Sequence, residues 1–214
     1  AVIGALFGVE GAHALEGDLG ALDSFHAAGV RLLGLAHFFD NEFSGSAHGM
    51  RKPGLTDRGR ELVGECERRG IVIDLAHASP AAIDDVLGIA RRPPIVSHTG
   101  VQATSPSVRN LSDAQIRAVA AAGGVIGIGF WKTAAGGRSA ADVVRSVRHV
   151  IETAGDDHVA LGSDFDGAVA VPFDAAGLPA LTAAMIDAGI GDESIRKVLG
   201  DNALRVLRAV LPIG

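Results

Sequence analysis

The sequence has few of the features that mark disulfide-bonded, membrane or nucleic-acid-binding proteins. Its 214 residues include one cysteine, Cys66, so an internal disulfide and a Cys-x-x-Cys zinc motif are both excluded. No segment reaches the roughly 18 uninterrupted apolar residues of a membrane span, and no basic leader precedes an apolar core. The net charge is −6 and no basic run or basic helix face occurs, so we expect no nucleic-acid partner.

Common catalytic motifs are also missing. No Gly-x-Ser-x-Gly elbow and no Walker-type phosphate loop occurs anywhere in the chain. The glycines of residues 124–129 lie within an apolar stretch and open no helix, so they indicate close packing rather than a dinucleotide site. A lone thiol in a helical stretch is ordinarily inert, so Cys66 is not a candidate nucleophile.

Short apolar runs alternate with helical patterns along the whole chain, which is typical of βα units and a parallel sheet. The runs are continuous rather than alternating, as in residues 71–76, and this pattern indicates strands buried on both faces. The predicted strands are residues 2–9, 31–36, 71–76, 94–97, 124–130 and 159–163. The predicted helices are residues 19–28, 56–69, 79–89, 112–122, 140–154, 178–188 and 192–210.

These elements predict an α/β fold of the (β/α)8 TIM-barrel type. Six strands account for most of such a barrel, whose usual length is about 250 residues. Because the chain opens on Ala1 inside a predicted strand, we expect the first one or two β/α units to be absent, and residues 1–214 to form a single partial barrel domain. The alternative, a doubly wound open sheet, usually carries a glycine-rich phosphate loop after its first strand, and residues 8–11 do not form one.

Five of the six predicted strands run into a side chain that can bind a metal or transfer a proton. Parallel strands of a barrel all point the same way, so residues at their carboxyl ends converge on one mouth. Strand stability does not require such residues there, whereas a metal site does, and imidazoles with a shared carboxylate suit Zn²⁺. The residues are Glu10, His37, His77, His98 and Asp164.

Two further features of the predicted mouth concern charge. Asp164 and Asp166 both follow the last strand, and Asp164 is the better placed of the two for the mouth, although the pattern leaves the choice open. Arg109 lies 11 residues beyond His98, in the loop before a predicted helix, and therefore at the same mouth. A guanidinium in that place suits bidentate capture of a carboxylate.

Taken together, these motifs resemble those of the membrane dipeptidase (renal dipeptidase) family of zinc metallopeptidases, which belongs to the amidohydrolase-like barrels. The resemblance covers essentially the whole chain, and the joint occurrence of the motifs in order is highly specific. The matching segments are residues 8–13, 34–37, 54–59, 73–79, 95–99, 109–113, 161–167 and 200–207.

The resemblance implies hydrolysis of a small dipeptide by metal-activated water, with two Zn²⁺ ions in the intact active site. It implies that Glu10 bridges the two ions and that His77 and His98 complete the ligands of one of them. His37 would contact the substrate and stabilise the oxyanion, Arg109 would bind the C-terminal carboxylate of the substrate, and Asp164 would act as the acid and base.

One departure from the family pattern weakens the second metal site. The His-x-Asp pair that binds the other zinc has no counterpart, since no His-x-Asp occurs in the sequence. As it stands, the chain would hold one full zinc site and the second only poorly. Two alternatives therefore stay open: another metal-dependent amide or lactone hydrolase on the same barrel, and a non-catalytic remnant that kept the fold.

Several properties are left open by the sequence. They are the particular dipeptide, the metal in vivo, the oligomeric state, for which a homodimer is one candidate, and the compartment. The composition suggests a bacterial-type soluble protein, which would place it in the cytoplasm if its source is bacterial, although missing ends could carry a signal or an anchor.

Overall fold

The computed structural model describes residues 4–212. The strands are β1 (Phe7–Val9), β2 (Val30–Gly34), β3 (Val72–Asp74), β4 (Ile95–Thr99), β5 (Val125–Ile128) and β6 (Val159–Leu161). The helices are α1 (Ala21–Ala27), α2 (Asp57–Arg69), α3 (Pro80–Ile89), α4 (Asp113–Ala121), α5 (Lys132–Ala135), α6 (Ala140–Ala154), α7 (Leu178–Asp187), α8 (Asp192–Arg196) and α9 (Asn202–Val210). Of the strand predicted over residues 2–9, residues 2 and 3 lie outside the described part.

The strands form one six-stranded sheet in the sequential order β1-β2-β3-β4-β5-β6. The registered pairs are parallel: Leu33 of β2 lies opposite Val9 of β1 and Ile73 of β3, and Gly127 of β5 lies opposite Ala160 of β6. Sequential parallel strands joined by helices are what (β/α)8 barrels have. The predicted α/β class is confirmed, while the absence of N-terminal units stays a prediction.

Within the chain, contacts define two compact units. The first comprises Ala1–Ile95 with Leu207–Gly214, and the second comprises Val96–Val206. The prediction of a single partial barrel domain over residues 1–214 stays a prediction. Each unit has its own apolar core. The first buries Leu33, Leu62, Ile71 and Leu75, and the second buries Ile116, Ile126, Ile128 and Met185.

Local sequence explains where the principal helices begin. Ser79 accepts a hydrogen bond from Ala82 N, and Pro80 occupies the first turn of α3. Ser112 and Gln115 form a reciprocal capping box at the start of α4. These caps satisfy backbone N–H groups that a helix start leaves without an intrahelical partner. None of the helices within residues 4–212 combines the length and the apolar character that crossing a bilayer requires.

Several predicted boundaries are wrong. Residues 4–6 precede β1, β2 and β3 end at Gly34 and Asp74 rather than at residues 36 and 76, and β6 ends at Leu161 rather than at residue 163. The helix predicted over residues 192–210 is interrupted, because Lys197–Asp201 form a wider turn in which Gly200 departs from helical geometry. Glycine opposes helix continuation there, since it has the most backbone freedom to lose. His98 also lies inside β4, whereas the sequence placed it directly after the strand.

Candidate metal centre

Three of the predicted site residues leave the sheet at the carboxyl ends of adjacent strands in the first unit. Glu10 directly follows β1, His37 comes three residues after the end of β2, and His77 comes three residues after the end of β3. Because the three strands are parallel neighbours, their ends lie at one edge of the sheet. The convergence predicted for these three residues is therefore present.

The three side chains meet through the carboxylate of Glu10. Its Oε1 lies 3.1 Å from His77 Nε2, and its Oε2 lies 3.5 Å from His37 Nε2. The candidate ligand atoms all lie within 4.8 Å of one another. The two imidazoles stand edge to face, with ring centroids 4.6 Å apart and an interplanar angle of 81°.

This donor set fits a divalent cation of the zinc type. Tetrahedral zinc with ligands at 2.0–2.1 Å places neighbouring ligand atoms about 3.3 Å apart. The two nitrogen–oxygen separations, 3.1 and 3.5 Å, lie on either side of that value. Each carboxylate oxygen also faces a different imidazole, which is the arrangement expected of a carboxylate that serves two partners. Within residues 4–212, the group therefore has both the chemistry and the spacing of a metal site.

The three residues differ in their access to solvent. The His77 side chain is 8% exposed, whereas those of His37 and Glu10 are 33% and 44% exposed. The group thus has a buried wall at His77 and an open side at Glu10 and His37. A small ligand would approach from the open side.

The backbone of His77 is unusual. Its φ of 62° lies in the left-handed region, which costs about 1–3 kcal/mol for a residue with a side chain. Such strain persists only where the surroundings fix it, and Ala47 N donates to the His77 carbonyl at 2.8 Å. The carboxylate of Asp74, at the end of β3, also accepts from Ala76 N at 2.9 Å and orders the turn before His77. Sequence reasoning missed Asp74, whose signal is an acid inside an otherwise apolar run.

Two aromatic rings that sequence reasoning missed also lie beside the cluster. The Phe38 ring is 4.2 Å from that of His37 and 5.6 Å from that of His77. His48, which gave no interpretable pattern in the sequence, has its ring 5.5 Å from His77 and 5.2 Å from Phe38. Both belong to the loop after β2, where no periodicity could have placed them.

His98 and Arg109, two of the remaining predicted site residues, belong to the second unit. Ser97 Oγ lies 2.8 Å from His98 Nδ1, and the His98 ring is 5.8 Å from that of Trp131. The Arg109 side chain is largely buried and donates from Nη2 to the His98 carbonyl at 2.8 Å. Thr99 Oγ1 donates to the Arg109 carbonyl at 2.9 Å. The structure therefore couples Arg109 to strand β4, and the ligand role of His98 stays a prediction.

Asp164, the remaining predicted site residue, follows β6 in the second unit. Its φ of 58° is left-handed, and its carbonyl accepts from Gly167 N at 3.1 Å. Asp166 is exposed and Asp164 is partly buried, and the preference for Asp164 stays a prediction. Its role as acid and base stays a prediction, as does the substrate role of Arg109.

Cys66 is excluded from this chemistry by its environment. It is fully buried in α2, and burial raises the pKa of its thiol to about 12. The reactive thiolate is therefore negligible near neutral pH.

A parallel α/β sheet that presents a carboxylate and two imidazoles at the ends of adjacent strands is typical of metal-dependent hydrolases. The comparisons with known proteins identify the particular family. The sequence profile of membrane dipeptidase (peptidase family M19) matches residues 2–213. The chain belongs to this family.

Individual relatives agree with this assignment. The chain is 38% identical to dipeptidase tcpJ of Claviceps purpurea over 217 residues, covering 96% of this chain and 50% of that protein. The solved structure of dipeptidase AC, a family M19 metallopeptidase, matches with a TM-score of 0.88 and 36% identity. A metallopeptidase from Rhodobacter sphaeroides, liganded with a phosphinate mimic of the dipeptide L-Ala-D-Ala, matches with a TM-score of 0.85 and 36% identity. Both structural matches cover 96% of this chain and 63% of the other, so the chain spans only part of the length of these relatives.

Proposed function

We propose that the protein is a zinc-dependent dipeptidase that hydrolyses the peptide bond of dipeptides with a metal-activated water. The observation that carries the proposal is the Glu10 carboxylate set between the Nε2 atoms of His37 and His77. Membership of the membrane dipeptidase family and the dipeptide mimic bound to the Rhodobacter relative support the choice of substrate.

Glu10 and His77 would hold the zinc, with His98 as a further ligand. When bound, such a cation supplies Lewis acidity, which lowers the pKa of water toward 7 and polarises a carbonyl. Because the sequence contains no His-x-Asp, these residues by themselves provide one full site and only part of a second.

His37 would act on the substrate rather than as a principal ligand. Its ring is one-third exposed on the open side of the cluster, and its Nε2 lies 3.5 Å from Glu10 Oε2. From there an N–H donor can stabilise the oxyanion that develops on the peptide carbonyl. A donor of this type contributes roughly 3–4 kcal/mol to the transition state.

Arg109 and Asp164 would complete the chemistry. Arg109 would capture the C-terminal carboxylate of the dipeptide, since a guanidinium matches a carboxylate with two parallel hydrogen bonds. Asp164 would take a proton from the attacking water and deliver it to the leaving amine. Recognition of a free carboxylate in this way would explain a preference for short substrates with a free carboxyl end.

Steady-state hydrolysis of a dipeptide and of its C-terminally amidated form by the full-length protein tests the proposal. We expect a chelator to abolish cleavage of the dipeptide and added Zn²⁺ to restore it.

We expect Arg109→Ala to raise KM for the dipeptide about tenfold or more, because a charge-assisted hydrogen bond contributes about 1.5–3 kcal/mol, and to leave KM for the amide nearly unchanged.

Arg60→Ala is the matched control, because Arg60 is an exposed arginine in α2 that forms an ion pair with the half-buried carboxylate of Asp85 at 3.1 Å. Equal KM values for wild-type protein and Arg109→Ala would remove Arg109 from substrate binding. Cleavage of a lactone or a non-peptide amide, with dipeptides left intact, would favour the alternative hydrolase. A protein that neither binds zinc nor cleaves any of these substrates would favour the non-catalytic remnant.

A further inference from the structure

The loop after β2 folds around one carboxylate, that of Asp40. Asp40 Oδ1 accepts from Ser46 N at 2.9 Å. Asp40 Oδ2 accepts from Arg51 N at 2.9 Å and from Lys52 N at 3.3 Å. One side chain therefore fixes both the middle and the end of residues 40–52, which we call the clamp loop.

Two consecutive residues of the clamp loop hold the backbones of the two histidines that face Glu10. The Ser46 hydroxyl donates to the His37 carbonyl, and Ala47 N donates to the His77 carbonyl at 2.8 Å. Ser46 is fully buried, and it forms an antiparallel bridge with Ala78, the residue after His77. The backbone that carries each imidazole is thus tied to the same short stretch of loop.

The clamp loop has a second tie that does not involve the histidines. Asn41 Nδ2 donates to the Leu35 carbonyl at 2.9 Å, which anchors the start of the loop to the end of β2. Ser79 N also donates to the Gly45 carbonyl at 2.9 Å, so Ser46 and Ala47 are held by this bond together with the Asp40 carboxylate.

The packing around the Asp40 carboxylate leaves no room for a side chain at position 49. A Cβ atom on Gly49 would lie 1.8 Å from Asp40 Oδ1, so a side chain at position 49 would displace the carboxylate. Burial acts to raise the pKa of Asp40, but the N–H groups of Ser46, Arg51 and Lys52 outweigh it and lower the pKa below its usual value. Asp40 is therefore a charged acceptor at neutral pH, suited to hold three N–H donors.

We infer that Asp40 is a positioning residue that keeps His37 and His77 in register with Glu10, acting through Ser46 and Ala47 of the clamp loop. The inference rests on the proposed zinc function, because it concerns the spacing of the two proposed zinc ligands Glu10 and His77 and the placement of His37 beside them. Partners that orient metal ligands typically change metal affinity or activity by about 10–100-fold when they are removed.

Zinc affinity, measured by competition with a chromophoric chelator on the full chain, tests the inference independently of activity. We expect Asp40→Ala to weaken zinc binding by about 10–100-fold. We expect Asp40→Asn to have a smaller effect, since the amide keeps the shape and one acceptor oxygen but places an NH2 group against backbone N–H donors. In hydrolysis, kcat should fall while KM for the dipeptide stays near the wild-type value, because capture of the carboxylate is not involved.

Asp142→Ala is the matched control. Asp142 likewise accepts from a backbone N–H, that of Ser139 at 3.0 Å, and from a serine hydroxyl, but it caps α6 in the second unit. The Asp142→Ala variant should be less stable than the wild-type protein but should bind zinc with the same affinity. It therefore separates the positioning effect from a general loss of stability. If Asp40→Ala does not fold, the zinc affinity of Asp40→Asn tests the inference instead.

The outcomes distinguish this inference from the proposed function. Zinc affinity of the folded Asp40 variants within twofold of the wild-type value would overturn the inference even if the protein is an active dipeptidase. A chain that binds zinc, loses affinity on Asp40→Ala and cleaves no dipeptide supports the positioning role and counts only against the proposed function. A wild-type chain that binds no zinc overturns both.

Discussion

Replacement of Glu10 by glutamine should abolish dipeptide hydrolysis and release the zinc. Glutamine preserves the shape of the side chain, but it is neutral and offers one acceptor oxygen in place of two. One of the two imidazoles, which lie 3.1 and 3.5 Å from the carboxylate oxygens, would then face an NH2 group. Lewis-acid stabilisation by a bound metal is worth several kcal/mol, so we expect kcat/KM to fall by roughly 10³-fold or more.

Zinc content after dialysis and kcat/KM on one dipeptide measure this effect together. Glu16→Gln is the control, since Glu16 is an exposed glutamate in the same first segment, six residues further along the chain. We expect that variant to match the wild-type protein in both measurements. Retention of zinc and of kcat/KM within about threefold by Glu10→Gln would remove Glu10 from the metal site.

The second large effect is expected from Gly127→Ala, which should destabilise the sheet rather than alter the metal site. A Cβ atom on Gly127, in β5, would lie 2.1 Å from the Ser97 carbonyl oxygen and 3.2 Å from that of Val96. Both obstacles are backbone atoms of β4, which cannot move aside as a flexible side chain can. Gly127→Ala should therefore push the two strands apart and lower the free energy of unfolding by about 3 kcal/mol, the upper part of the usual range for overpacking.

Gly64→Ala provides the contrast, because Gly64 is exposed within α2 and has no atom within 4 Å of its would-be Cβ. Alanine there should raise stability by roughly 0.5–1 kcal/mol through its higher helix propensity. For a chain of this size 1 kcal/mol corresponds to about 2–4 °C in Tm, so the two variants should differ by roughly 7–16 °C in a thermal scan. Equal Tm values would show that the strands do not approach as closely as described.

The parts of the fold that were predictable depend on local patterns. Continuous apolar runs separated by helical segments identified the six strands of the sheet and their parallel arrangement, because a strand that is buried on both faces has a continuous apolar sequence. The approach of Glu10, His37 and His77 followed from that arrangement, because the carboxyl ends of neighbouring parallel strands share one edge. Local pattern was thus enough to predict the centre of the candidate metal site.

The parts that were missed depend on contacts that leave no periodic signal. The Ser46 hydroxyl, the Asp40 carboxylate and the rings of Phe38 and His48 act from an irregular loop, whose path is set by individual hydrogen bonds. The end of β4 was placed too early because His98 is polar, although polar residues continue a strand wherever a partner is present. Side-chain partners of this kind are properties of the folded chain rather than of a sequence window.

Diffraction from zinc-grown crystals, recorded on both sides of the zinc absorption edge, would test the metal site most directly. We expect an anomalous peak about 2.0–2.2 Å from a Glu10 carboxylate oxygen and from His77 Nε2. Zinc peaks found only elsewhere, with none between these two side chains, would contradict the assignment of Glu10 and His77 as metal ligands.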